Sequence, residues 1–279
     1  YDHQGRLLTE KLKINDENEI TLAGYKYNDL GELIAKYLHD NTGSDFNQEI
    51  NYTYNKKGWL RKQNDITNID NDLFAQELKY QDPTDNTSYF NGNIWQTDWL
   101  NTGDIVKNYT FGYDEINRLK AAVYSDGIAN GHFNTAYTYD ANGNINTLSR
   151  KKENNEIDAL TYSYISGGNR LESVTDAGTT EGYHAVAGNY GYDVNGNMVT
   201  DPSKGTTIEY NYLNLPKNVE FGANDNLRYT YDAAGNKLVK VVDGTVAGNN
   251  TRLDYSGNFL YENNELKAIF TSAGRIVPF

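Results

Sequence analysis

The chain has no cysteine among its 279 residues. That excludes a disulfide framework and a thiolate metal site, and it leaves the redox compartment unmarked. No apolar run approaches the roughly 20 residues that a membrane helix needs, so no membrane span is predicted. Basic residues are outnumbered, 25 Lys and Arg against 38 Asp and Glu, for a net charge of −13 and a pI near 4.7. Such a surface repels phosphate backbones, and nucleic acid is not an expected partner. There is no basic and apolar leader, and the first residue is Tyr1, which predicts a piece of a longer protein.

Aliphatic side chains are scarce as well. Leu, Ile, Val and Phe together supply about 21% of the chain, just above the roughly 20% below which disorder is expected. The 24 tyrosines make up the difference. Each carries a large apolar ring whose hydroxyl needs a partner when buried, so any core is aromatic and thinly spread, which suits sheet surfaces.

The tyrosines are not scattered. The phrase YTYDANGNINTL, Tyr137 to Leu148, recurs in altered form from Tyr25, Tyr52, Tyr190 and Tyr229. The Y-x-Y pair stands at 25/27, 52/54, 137/139, 162/164, 190/192, 210/212 and 229/231, with Tyr109, Phe111 and Tyr113 in an eighth place. A spacing of two puts both rings on one face of a strand. Tyr27, Tyr54, Tyr113, Tyr139, Tyr164, Tyr192, Tyr212 and Tyr231 are therefore expected to form a ladder, with period about 20 to 28, as in a stacked array.

After the pair comes a turn. The tetrads Asp2 to Gly5, Asn28 to Gly31, Asn55 to Gly58, Asp140 to Gly143, Asp193 to Gly196 and Asp232 to Gly235 place an amide acceptor first and glycine fourth. That spells a type I turn closed by a glycine bulge, with Gly5, Gly31, Gly58, Gly143, Gly196 and Gly235 at positive φ. At Asp114 to Asn117 the fourth place is Asn, the next most tolerant of that conformation. Each phrase is thus a β-hairpin, and the fold class expected is an all-β array of antiparallel hairpins in one long curved sheet. The whole of 1–279 reads as one array. A degenerate stretch around 64–100 holds Tyr89 to Ile94, and Asn64 to Gln81 has apolar spacing that predicts a short helix or a decorated loop there.

These motifs resemble the RHS or YD-repeat family, with matches at Tyr1 to Leu7, Tyr25 to Leu33, Tyr52 to Leu60, Tyr113 to Leu119, Tyr137 to Ile145, Tyr190 to Met198 and Tyr229 to Leu238. The resemblance implies a spiralling β-shell of a secreted or bacterial cell-surface protein, as in toxin complexes, polymorphic toxins and the teneurins. Its implied partners are other segments of the parent protein or an enclosed polypeptide, in a secretion or surface complex. The Asp-Pro-x-Gly self-cleaving core of bacterial members is missing. Asp201 to Gly205 carries one residue too many, and Asp82-Pro83 has no glycine near enough, so no protease residues are carried over.

Chemistry is sparse. The histidines at 3, 39, 132 and 184 show no metal or triad spacing. No nucleophile elbow, P-loop or dinucleotide fingerprint is present. Asp140, Asp193 and Asp232 offer carboxylates for a glycosidase pair, yet the turn explains all three at once. No enzyme activity and no cofactor are expected. Asp40 to Asp45 and Asp82 to Asn86 crowd oxygen ligands without a complete calcium loop. The rival to a scaffold is an adhesin or glycan-binding module, for which Trp59, Trp95 and Trp99, outside the tyrosine register, are the stacking candidates.

Overall fold

The computed structural model of the protein describes residues 1–40, 45–69, 71–80, 89–128, 131–222, 225–244 and 250–278. The calcium expectation at Asp40 to Asp45 and Asp82 to Asn86 rests largely on 41–44 and 81–88, and the expected turn at Gly244 to Asn250 largely on 245–249. These lie outside the described residues.

The architecture is all-β and antiparallel. Strands follow chain order in a 13-stranded sheet, from Thr9–Leu12 to Leu171–Asp176, and a 10-stranded sheet, from Gly191–Tyr192 to Gly274–Ile276. Neither closes into a barrel. The only helical element among the described residues is a 3₁₀ turn, Ile165–Gly167. The chain forms two compact units, Tyr1–Thr138 with Leu148–Ile157, and Tyr139–Thr147 with Asp158–Phe279.

Alternation drives the strands. Along Phe46–Tyr54, the residues Phe46, Gln48, Ile50, Tyr52 and Tyr54 are half-buried and those between are exposed. Cross-strand register sets matching residues side by side, as with Tyr25, Lys36 and Ile50 in the first unit. In the second unit Ile208, Val219, Leu227 and Val242 line up in the same way. Among the described residues the buried apolar set is small and half alanine: Ala23, Ala35, Ala75, Ala122 and Ala268, with Leu100, Tyr124, Leu160, Val174 and Tyr190. Stability must therefore come chiefly from ladder bonds and half-buried cross-strand pairs.

Among the described residues of 64–81 no helix forms: of the two alternatives the loop holds up to Leu73, and a strand follows. Asn64 takes a left-handed conformation, φ 56°, and its buried side chain accepts from Asn51 N–H at 2.8 Å and donates to Phe74 O at 2.9 Å. Asp65 then closes a turn through Thr67 N–H at 3.0 Å, and Phe74–Lys79 is a strand paired with Gln96–Asn101. Side-chain capping of local amides by Asn64 and Asp65 competes with helix. The apparent helical spacing came from reading a turn and an alternating strand as one segment.

Candidate functional site

The repeated turn is built around its first residue. At Asp193 the backbone N–H donates to Asn197 O at 2.9 Å, and Gly196 N–H donates to Asp193 O at 3.1 Å. Oδ1 accepts from the N–H groups of Asn195 at 2.9 Å and Asn197 at 2.8 Å, and Oδ2 accepts from Asn197 Nδ2 at 2.9 Å. Asp140 and Asp232 are held alike by Asn144 and Asn236, both at 2.8 Å, while Asp2 and Asp114 are clamped by the guanidinium groups of Arg6 and Arg118, both at 2.6 Å. Asn28 and Glu32 exchange the roles, with Nδ2 donating to Oε2 at 2.7 Å.

Hydrogen bonds to an ionised carboxylate favour its charged form. The Asn144, Asn197 and Asn236 side chains and the turn amides hold Asp140, Asp193 and Asp232 below the usual carboxylate range. Asp2 is lowered to about 2, mainly by the Arg6 backbone N–H. At Asp114 desolvation opposes the shift and the Arg118 bonds outweigh it. These carboxylates are consumed by their turns, which gives the repeated aspartates a structural task.

The closing residues Gly5, Gly31, Gly58, Gly143, Gly196 and Gly235 have φ between 75° and 91°. A Cβ at Gly143 would meet nothing within 4 Å, so the demand there is purely conformational. Asn117 and Asn214 take φ 68° and 58° in the same place.

The tyrosines join neighbouring hairpins. The ring hydroxyl reaches the carbonyl five residues beyond the first turn residue of the preceding hairpin, or six where that turn is the longer one opened by Ile165. Tyr27 donates to Leu7 O at 3.1 Å, Tyr54 to Leu33 O at 2.8 Å and Tyr113 to Ile94 O at 2.8 Å. In the second unit Tyr164 donates to Ile145 O at 2.9 Å, Tyr192 to Leu171 O at 2.9 Å and Tyr231 to Pro216 O at 3.0 Å. The register shifts at every one of these strand pairings, for example between Lys26 and Tyr27 and between Ser163 and Tyr164. A bulge disrupts the local ladder, which accounts for a carbonyl at that point accepting from a side chain. Burial pushes the phenols of Tyr54, Tyr113, Tyr164, Tyr192 and Tyr231 up. Tyr139 ends its strand at the same position.

Two assignments change. Tyr212 is 84% exposed at a turn tip. The ladder member is Tyr210, which donates to Met198 O at 2.8 Å, because Asn211 to Asn214 is the tetrad, with Asn214 N–H donating to Asn211 O at 3.0 Å. Sequence reading also missed Tyr80, whose hydroxyl donates to Leu60 O at 2.9 Å. The available signal was its place 26 residues after Tyr54.

The tryptophans pack on other groups. Trp59 lies 5.1 Å from the Tyr80 ring, carries the Lys57 ammonium 4.5 Å over it and covers Gly92. Trp99 stacks on Tyr109 at 5.6 Å beside Tyr124. Trp95 has a buried indole N–H without a partner. All three are half-buried. Among the described residues no three His, Asp or Glu side chains converge as a metal site, and Asp201 to Gly205 is a turn in which Asp201 accepts from Ser203 N–H at 3.0 Å.

No family model matches the chain, and no curated protein matches it. Solved structures do. A crystal structure of TcdB2–TccC3 with Cdc42 superposes with a TM-score of 0.68 and 18% identity over 96% of this chain. The pore form of the Photorhabdus luminescens Tc holotoxin gives 0.61 and 14% over 99%, and TcdB2–TccC3 alone 0.61 and 15% over 99%. This chain spans only 14 to 15% of the length of those chains. At such identities the likeness is one of fold: the hairpin ladder seen here is an architecture that Tc toxin chains also contain.

Proposed function

We propose that the chain is a segment of an RHS or YD-type β-shell, a non-catalytic scaffold of a secreted or bacterial surface protein that encloses or presents another polypeptide. One observation carries the reading. Tyr27, Tyr54, Tyr80, Tyr113, Tyr164, Tyr192, Tyr210 and Tyr231 each fix a hairpin to the one before it by a tyrosine-to-carbonyl bond, which suits a wall of indefinite extent rather than a pocket. The shared fold with Tc toxin chains supports it, as do turn carboxylates already committed to turn bonds. No helix among the described residues is long and apolar enough to cross a membrane.

The test is protease protection in the full-length parent protein. A scaffold that encloses cargo yields a polypeptide segment resistant to protease while the array is folded and degraded once Tyr54→Phe with Tyr192→Phe loosens it. A cargo equally sensitive in both states, together with glycan binding lost on Trp59→Ala or Trp99→Ala in a folded protein, would replace the shell with the adhesin reading. Turnover of an oligosaccharide would sink both.

A further inference from the structure

Three turns are spelled Asn-Gly-Asn: 91–93, 142–144 and 195–197. In all three, both asparagine side chains reach the next turn. Asn91 and Asn93 donate through Nδ2 to Asn117 Oδ1 at 2.6 and 3.0 Å. Asn195 and Asn197 donate to Asn214 Oδ1 at 3.1 and 2.9 Å. Asn142 and Asn144 donate to the carbonyls of Gly167 and Gly168 at 2.9 and 3.1 Å, and Asn144 also to Asn169 Oδ1 at 3.2 Å.

The receiving turns differ from the rest. Asn117 and Asn214 hold the left-handed position that is glycine elsewhere, and the third receiver is the 3₁₀ turn, which offers two carbonyls. Where the preceding turn lacks the Asn-Gly-Asn spelling, the next turn closes with glycine: Gly31, Gly58, Gly92, Gly143, Gly196 and Gly235. A left-handed asparagine is strained relative to glycine, so its use at the closing position of the repeated turn, at Asn117 and Asn214 behind amide donors, calls for a compensating bond.

We infer that Asn117 and Asn214 are acceptors in a neighbour code along the turn edge: an Asn-Gly-Asn turn requires, in the hairpin beside it, a turn that presents acceptor oxygens to both asparagines, from a left-handed asparagine side chain at 117 and 214 and from the turn at 167–169 in the third case. The code specifies which hairpins can be adjacent, and it stands whether or not the array encloses anything. These are positioning residues, and the bonds they receive lock the lateral register that the tyrosine bonds alone leave to backbone pairing.

The experiment compares melting temperatures of the whole chain carrying Asn214→Gly, Asn214→Asp, or Asn195→Ala with Asn197→Ala, and the combinations of the acceptor and donor changes. Asn214→Gly is expected to melt lower than wild type, although glycine relieves backbone strain, and Asn214→Asp to retain wild-type melting because it keeps the oxygen. Combining Asn214→Gly with the two alanines should lower melting by less than the separate losses added together. Asn117→Gly repeats the test in the other unit and covers the case in which one variant does not fold. Melting of both glycine variants at or above wild type, or strict additivity, would overturn the code.

Discussion

The hydroxyl of Tyr192 donates to the carbonyl of Leu171 at 2.9 Å, and Leu171 is the residue paired across its own hairpin with Tyr164. Tyr54, Tyr80, Tyr210 and Tyr231 likewise rest on Leu33, Leu60, Met198 and Pro216, the cross-strand partners of Tyr27, Tyr54, Tyr192 and Tyr210, in a staircase from hairpin to hairpin.

Removing a step leaves a half-buried carbonyl unpaired. Tyr192→Phe and Tyr54→Phe are each expected to destabilise by about 1 kcal/mol in urea unfolding, the usual net worth of such a bond. Tyr212→Phe, at an exposed tip, should leave the midpoint unchanged.

The left-handed glycines separate conformation from space. Gly143→Ala meets no atom, so its cost is that of a left-handed L-residue, about 1–2 kcal/mol. Gly143→Val should cost more, because β-branching disfavours positive φ further. Ala141→Val at the same turn is expected within about 0.5 kcal/mol, and equal midpoints for all three would contradict the assignment.

Acid should loosen the turns. A carboxylate whose folded pKa is depressed contributes stability that is present above its unfolded pKa, near 3.9, and lost as pH falls through the folded value. For Asp2 that window closes at about 2, and Asp140, Asp193 and Asp232 shift the same way. Denaturation midpoints should fall between about pH 4 and 2. Asp140→Asn with Asp193→Asn should flatten that fall, since Asn starts the same turn at 28, 55 and 211.

Alkali acts on the staircase. Raised phenol pKa values mean that the stabilising contribution is intact below the unfolded value, about 10, and is lost as pH rises through the folded one. Desolvation, with the Tyr183 hydroxyl 2.8 Å away, pushes Tyr190 up to about 12. Ultraviolet titration should show a set of phenols ionising only as the fold is lost, and a single transition at the free-tyrosine value would refute this.

A buried carboxylate ties down the connection 177–190. Asp158 is fully buried and accepts from Tyr183 N–H. Asp158→Ala should speed protease cleavage at the exposed residues 184–189 at least severalfold, while Asp176→Ala, nearer the strand, serves as comparison.

Hairpins and turn glycines were legible because alternation and left-handed backbone each restrict residue choice at a fixed spacing. Tyr212 was misread because Tyr210-Asn-Tyr212 fits two registers, and only the Asn211 to Asn214 turn, which lacks glycine, decides between them. Tyr80 escaped because it has no partner tyrosine two residues before it and its sequence does not continue into a glycine-closed tetrad. Over Asn64 to Gln81, where a short helix or a decorated loop was expected, apolar spacing did not decide between them, because local amide capping by Asn64 and Asp65 leaves no mark on apolar periodicity. The bonds between turns join residues some 17 to 26 positions apart, beyond what local pattern conveys.

Within each unit, sequential antiparallel strands send every repeated turn to one margin and the alternate connections to the opposite one. On the first margin the repeated turns that bond one another, such as Asp193 to Asn197 and Asn211 to Leu215, keep one length, while the connection 80–95 is longer. The second ranges from the two residues Asn263 and Asn264 to the segment 177–190. Insertions and divergence can therefore accumulate along that side without disturbing the lattice, which makes it the natural place for such a protein to acquire new recognition segments.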